Sequence, residues 1–106
     1  LAAGDTEAAE DHLRTALSAT SDSYMTLLLR VRLGAVLIER GDTVAAEELL
    51  AHLVEEHPDS ADAYYYLGLV YDQTDRGIEA RSMWRQAIQI EPEHLGALEG
   101  LANWEG

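Results

Sequence analysis

Residues 60–92, SADAYYYLGLVYDQTDRGIEARSMWRQAIQIEP, decide the fold because the pattern they carry also occurs earlier in the chain. Identical residues recur 34 positions apart. The pairs are Leu33 and Leu67, Gly34 and Gly68, Ala46 and Ala80, and Pro58 and Pro92. Ala9 and Leu13 continue the pattern toward the N-terminus, where they match Ala46 and Leu50 at a shift of 37 residues. A repeat of this length predicts similar units that bury their apolar faces by stacking on one another.

The apolar spacing inside each unit is helical rather than strand-like. One run with the i, i+3, i+4, i+7 spacing of a helix face is Ala46, Leu49, Leu50 and Leu53. Pro58 and Pro92 each end a helix, because proline disfavours helical backbone at the residue before it. Gly41 is suited to a turn with positive φ, and Asp42 or Thr43 is suited to cap the next helix. We predict an all-α chain with helices at about residues 6–19, 23–40, 43–57, 60–74, 76–90 and 95–104.

The third unit, residues 61–94, resembles the tetratricopeptide repeat, a family whose 34-residue pattern reads W-x2-L-G-x2-Y, then A-x3-F, then P. The residues in these slots are Tyr64, Leu67, Gly68, Tyr71, Ala80, Trp84, Ala87 and Pro92. The second unit, residues 23–60, departs from the pattern at Arg30, which stands where the first aromatic belongs, and at Leu37, which replaces tyrosine. The resemblance implies a right-handed αα-superhelix, or solenoid, of stacked antiparallel helix pairs.

The resemblance covers nearly the whole chain and divides it into four parts. We predict a single domain over residues 1–106, with the second helix of a partial repeat over 1–22, repeats over 23–60 and 61–94, and an opening or capping helix over 95–106. The chain starts with Leu1 rather than methionine, so we expect it to be a piece of a longer protein.

The helix crossings need small residues, because two helices approach within about 8–10 Å only where side chains are small. Large neighbours then fill the remaining space. The predicted structural core is Leu33, Gly34, Leu37, Ala46, Leu50, Tyr64, Leu67, Gly68, Tyr71, Ala80, Trp84 and Ala87.

The first helix of each pair is expected to line a concave groove. The predicted groove residues are Leu28, Val31, Arg32, Ala35, Asp62, Tyr65, Leu69 and Asp72, and Glu99 and Asn103 continue the stripe. In the run Tyr64-Tyr65-Tyr66, successive side chains point about 100° apart, so we predict that only Tyr65 faces the groove and that the three form no single patch. The stripe is apolar at one end and acidic and aromatic at the other, which predicts a protein or peptide partner with aliphatic and basic residues.

Several functions are excluded by composition. The net charge of −13, from 20 acidic and 7 basic residues, is incompatible with a nucleic-acid surface. The longest uncharged stretches are about ten residues, and a membrane-spanning helix needs about 20.

There is no cysteine, and His52 and His57 lie on different faces of their helix, so we expect no metal or cofactor. No serine, histidine and acid are grouped for catalysis, so we predict a scaffold or adaptor rather than an enzyme.

Alternatives remain open. Apolar ends near Leu13 and Leu98 would suit self-assembly into a homo-oligomer, and the segment would also suit a regulatory arm of an enzyme whose catalytic domain lies elsewhere. Leu28 and Val31 would be covered if neighbouring repeats of a longer chain packed on them. The acidity fits either a basic partner or a high-salt source.

Overall fold

The computed structural model describes the backbone of residues 3–105 and the side chains of residues 5–104. Within that range the chain forms six helices and no strand, so the predicted all-α class is confirmed. The helices are α1 (Ala3–Ala19), α2 (Ser23–Glu39), α3 (Thr43–Glu56), α4 (Ala61–Gln73), α5 (Gly77–Ile90) and α6 (Leu95–Glu105). Residues 1, 2 and 106, which the predicted domain includes, lie outside the described residues.

Helices α2 and α4 begin at side-chain oxygen caps that the sequence supplies. The Asp22 carboxylate accepts the Met25 N–H at 2.9 Å, and the Ser60 hydroxyl accepts the Ala63 N–H at 3.2 Å. Asp42 precedes α3 in the same way, but its side chain makes no capping hydrogen bond. Of the two capping residues predicted, Asp42 occupies the N-cap position without capping α3 through its side chain, because its φ of −88° and ψ of 68° depart from the extended backbone that a capping residue normally adopts, and Thr43 is the first residue of the helix.

The turns inside the two hairpins have the same geometry although their sequences differ. Gly41 has φ of 83°, and Asp75, which stands 34 residues later, has φ of 61°. In each turn the next amide donates back to the final turn of the preceding helix, from Asp42 N–H to the Leu37 carbonyl at 2.9 Å and from Arg76 N–H to the Tyr71 carbonyl at 2.8 Å. The hairpin thus keeps its shape without glycine, because aspartate tolerates left-handed backbone better than most residues.

The core consists of two clusters that share helix α4. The first cluster contains Val31, Leu33, Leu37, Ile38, Ala46, Leu50, Leu53, Ala63, Leu67 and Val70. The second contains Ala61, Tyr64, Ala80, Trp84, Ala87 and Ala97. Because one face of α4 packs in the first cluster and another face packs in the second, the units form one continuous stack.

Eleven of the twelve residues assigned to the core from sequence are buried, and Tyr71 is the exception. Tyr71 is half-buried because it lies near the end of α4, beside the turn, where the Arg76 guanidinium lies 4.6 Å from the centre of its ring. It therefore packs at the edge of the core rather than inside it.

No helix in residues 3–105 combines the length and the hydropathy that a membrane span requires.

Candidate functional site

The predicted groove residues line two depressions. The first, which we call the α2 depression, has a volume of about 810 Å³ and lies among α1, α2 and α4. Five predicted groove residues line it: Leu28, Val31, Arg32, Ala35 and Asp62. Its other lining residues are Ala8, Ala9, His12, Leu13, Val36 and Tyr66. This depression is therefore mostly apolar, with polar groups at its border.

The second, which we call the α6 depression, has a volume of about 330 Å³ and lies mainly between α4 and α6. It is lined by the remaining three predicted groove residues, Tyr65, Leu69 and Asp72. Trp84, Gly96, Glu99, Gly100, Asn103 and Trp104 complete it. Its exposed side chains are the carboxylates of Asp72 and Glu99, the amide of Asn103 and the indole of Trp104.

Two tyrosine rings separate the depressions. Tyr66 lines the α2 depression and Tyr65 the α6 depression, and their ring centroids are 4.8 Å apart at an interplanar angle of 62°. Tyr64 lies in the second core cluster, so the three tyrosines form no single patch. Tyr65 and Tyr66 nevertheless meet, because their side chains are long enough to make an edge-to-face contact above the backbone. The depressions consequently adjoin along α4.

The apolar groove residues differ in how much surface they offer. Leu28 is 39% exposed, whereas Val31 is only 8% exposed and belongs to the first core cluster. Val31 thus forms part of the wall, and its burial stabilises the fold. Leu28 is the more accessible aliphatic contact in the α2 depression.

Tyr65 is held in place by contacts on two sides. A Cβ atom at Gly96 would come within 2.6 Å of the Tyr65 ring, so the glycine allows α6 to pack closely on the ring. The Trp84 indole N–H donates to the Tyr65 carbonyl at 3.2 Å. Burial raises the pKa of the Tyr65 hydroxyl, and repulsion from Tyr66, once that hydroxyl is itself ionised, and from the Glu99 carboxylate raises it further. Glu99 therefore directs its field toward Tyr65.

His94 connects α4 to the start of α6. Its Nε2 lies 2.7 Å from Asp62 Oδ1, and its Nδ1 accepts the Ala97 N–H at 3.2 Å. His94 thus caps α6 at the position where Ser60 caps α4 one repeat earlier. The bridge fixes the end of the groove at which α4 and α6 begin.

Three residues of types that bind metal ions surround this bridge, and the spacing of histidines along single helices gives no sign of them because they come from separate parts of the chain. Asp62, Glu91 and His94 offer ligand atoms within 4.8 Å of one another. A neutral histidine that accepts a hydrogen bond through Nδ1 carries its proton on Nε2. A metal on Nε2 would move that proton to Nδ1 and remove the cap of α6, so the geometry favours the hydrogen-bonded bridge. The signal in the sequence was the alignment of His94 with Ser60.

Comparisons with known proteins agree with this architecture. The tetratricopeptide repeat family model matches residues 1–69. The crystal structure of YrrB, described as a TPR protein with an unusual peptide-binding site, superposes with a TM-score of 0.77 at 27% sequence identity. That superposition covers 92% of this chain and 48% of YrrB.

Two curated relatives contain a similar segment. A probable biofilm formation methyltransferase of Pseudomonas putida, WspC, is 35% identical over 68 residues, which are 64% of this chain and 16% of WspC. The peroxisomal targeting signal receptor of Saccharomyces cerevisiae is 31% identical over 72 residues, which are 67% of this chain and 12% of the receptor. The chain thus spans less than a fifth of the length of these relatives.

The repeat length, the antiparallel helix pairs with small residues at their crossings, the family match and the similarity to a solved repeat structure all agree. The chain belongs to the tetratricopeptide repeat family and has its fold, a right-handed superhelix of helix pairs that serves as a protein-interaction module.

Proposed function

We propose that the module binds a peptide segment of a partner protein along the concave side formed by α2, α4 and α6, and thereby acts as a scaffold or adaptor. The observation that carries this proposal is that the eight groove residues line two adjoining depressions. A peptide that crosses the Tyr65–Tyr66 pair would contact both depressions at once.

The two depressions favour different side chains. The α2 depression offers Leu28 and the half-buried Ala35 to an aliphatic residue. The α6 depression offers carboxylates and aromatic rings instead. A partner segment with an aliphatic anchor and a basic residue is complementary to this arrangement.

The similar proteins support a peptide ligand. YrrB is described as having a peptide-binding site, and the yeast relative is a receptor for a targeting signal. Both descriptions concern proteins in which a repeat segment of this kind is present.

The test uses a peptide selected from a random 12-residue phage library on the immobilised protein, with its affinity measured by titration calorimetry. Leu28→Ser removes the accessible aliphatic contact and should weaken binding about tenfold, since burying part of a leucine contributes about 1–2 kcal/mol. The matched control is Val44→Ser, which changes a 71% exposed residue on α3, away from both depressions.

Val44→Ser should leave the affinity within about twofold of wild type. If the two substitutions weaken binding equally, or if only Val44→Ser does, the concave side is not the binding surface.

Self-assembly is a second candidate because α6 exposes two leucines, Leu95 at 68% and Leu98 at 41%. Sedimentation velocity from about 5 to 500 µM separates the candidates. If the wild-type protein assembles and Leu98→Asp restores the monomer, the apolar face of α6 is an interface between copies. If the wild-type protein stays monomeric across that range, self-assembly is excluded as its function.

A further inference from the structure

We propose that the α6 depression receives an arginine side chain of the bound peptide, with its guanidinium between the carboxylates of Asp72 on α4 and Glu99 on α6. The inference rests on the proposed function, since it assigns the partner's chemistry at one part of that groove. It concerns the three residues that line this depression from α4, namely Tyr65, Leu69 and Asp72, and those that face them from α6.

Asp72 and Glu99 have no cation of their own. Among side chains 5–104, the ion pairs within 4.0 Å join Arg14 and Arg40 to Glu10, Arg30 to Glu56, and Arg76 to Glu47, while His94 makes a hydrogen bond with Asp62. Neither Asp72 nor Glu99 occurs in these pairs, although both line the same depression and are exposed. Two unneutralised carboxylates on one concave surface favour a cationic ligand, and the net charge of −13 would speed its approach.

The aromatic residues of the depression also suit a guanidinium. Trp104 is 42% exposed, and the guanidinium carbon of Arg81 already lies 4.4 Å from the centre of its ring. One face of Trp104 is therefore occupied by a guanidinium of this chain, and only the rest of its exposed surface is left for the peptide. Tyr65 forms a second aromatic surface, supported by Gly96 beneath it.

The arrangement favours arginine over lysine or an aliphatic residue. The carboxylates stand on different helices, and Asn103 adds an amide oxygen on α6. A guanidinium presents five N–H donors in a plane and can bond to separated acceptors, whereas an ammonium is a compact point charge. An aliphatic side chain would remove water from the carboxylates without replacing its hydrogen bonds.

The experiment measures three versions of the phage-selected peptide that carries an arginine: the original, one with citrulline and one with lysine at that position. Citrulline keeps the shape of arginine and removes its charge. In the wild-type protein, citrulline should weaken binding about tenfold and lysine at least about threefold. In the double variant Asp72→Asn, Glu99→Gln, citrulline should weaken binding less than about twofold.

The matched control is the double variant Glu48→Gln, Glu55→Gln, which removes two exposed carboxylates from α3, outside the depression. There the citrulline penalty should stay within about twofold of its wild-type value, which separates a local contact from the general field of the protein. Circular dichroism checks that both double variants keep their helices.

Three results would overturn the inference: a citrulline penalty equal in wild type and in Asp72→Asn, Glu99→Gln, lysine binding as well as arginine, or selected peptides without arginine. If those peptides still lose affinity with Leu28→Ser but not with Val44→Ser, the proposed function stands and only the arginine assignment fails. If no selected peptide depends on Leu28, the proposed function and the inference fail together.

Discussion

Replacing Gly68 with alanine tests the crossing of α4 and α5, where the two helices pack most tightly. A Cβ atom at Gly68 would lie 2.4 Å from Nε1, 2.7 Å from Cδ1 and 3.0 Å from Cε2 of Trp84. Trp84 is 2% exposed, and its indole N–H donates to the Tyr65 carbonyl. The ring is rigid and enclosed, so it cannot move aside without disturbing this hydrogen bond and the second core cluster.

The change in the free energy of unfolding combines two costs and one gain. Overpacking a core costs about 1–3 kcal/mol, and weakening the indole hydrogen bond adds about 1 kcal/mol. Alanine in place of a mid-helix glycine stabilises the helix by about 1 kcal/mol. Gly68→Ala should therefore destabilise the protein by about 2 kcal/mol, which lowers the melting temperature by about 8–16 °C for a domain of this size.

Urea and thermal unfolding followed by circular dichroism provide the measurement, with Gly34→Ala as the matched control. The three atoms nearest to a Cβ atom at Gly34 all belong to Leu50, with Cδ2 at 2.9 Å and Cγ at 3.0 Å, and the end of a leucine side chain adjusts more readily than an indole ring. The control should lie within about 1 kcal/mol of wild type. Trp84→Leu should relieve most of the added cost of Gly68→Ala. A Gly68→Ala protein as stable as wild type, or a larger loss of stability for Gly34→Ala than for Gly68→Ala, would contradict this explanation of the crossing.

Three further predictions concern the turns, the cap and an ion pair. Asp75→Gly should raise the urea midpoint by the equivalent of about 0.5–1 kcal/mol, because Asp75 has φ of 61°, and a lower midpoint would contradict this. His94→Ala should cost about 1 kcal/mol in the same assay through loss of the cap of α6, and His94→Ser, which keeps a capping oxygen, should cost less; equal losses would show that the bond to Asp62 dominates. Hydrogen bonds from Arg76 lower the pKa of the Glu47 carboxyl below its ordinary 4.5, so this pair stabilises the fold above that pH and the stabilisation is lost as the pH falls through the lowered value. Glu47→Gln should accordingly make stability fall less steeply below about pH 4.5 in acid titrations, and an unchanged slope would assign the acid sensitivity to other groups.

The helices and most of the core could be predicted because their determinants are local and repeated. The recurrence of Gly34 as Gly68 and of Leu50 as Trp84 pairs a small residue with a large one in both hairpins, and the structure brings each pair together. The partial exposure of Tyr71 could not be predicted from the repeat pattern, because it depends on the turn that follows and on the Arg76 side chain over its ring.

The site was less accessible to sequence reasoning because it depends on how neighbouring repeats approach one another. Helical periodicity places Val31 on the groove stripe, but its burial depends on packing against other helices. The contact between Tyr65 and Tyr66 depends on side-chain length and rotamer, which a helical projection omits. The bond between Asp62 and His94 joins residues 32 positions apart, one in α4 and the other just before α6.

The most direct test of the concave binding surface is a ¹H–¹⁵N chemical-shift map of the labelled protein titrated with the selected peptide. The largest shifts should occur in residues 28–35 of α2, 62–72 of α4 and 96–103 of α6, with little change along α3. Largest shifts in residues 44–55 of α3 would contradict this prediction.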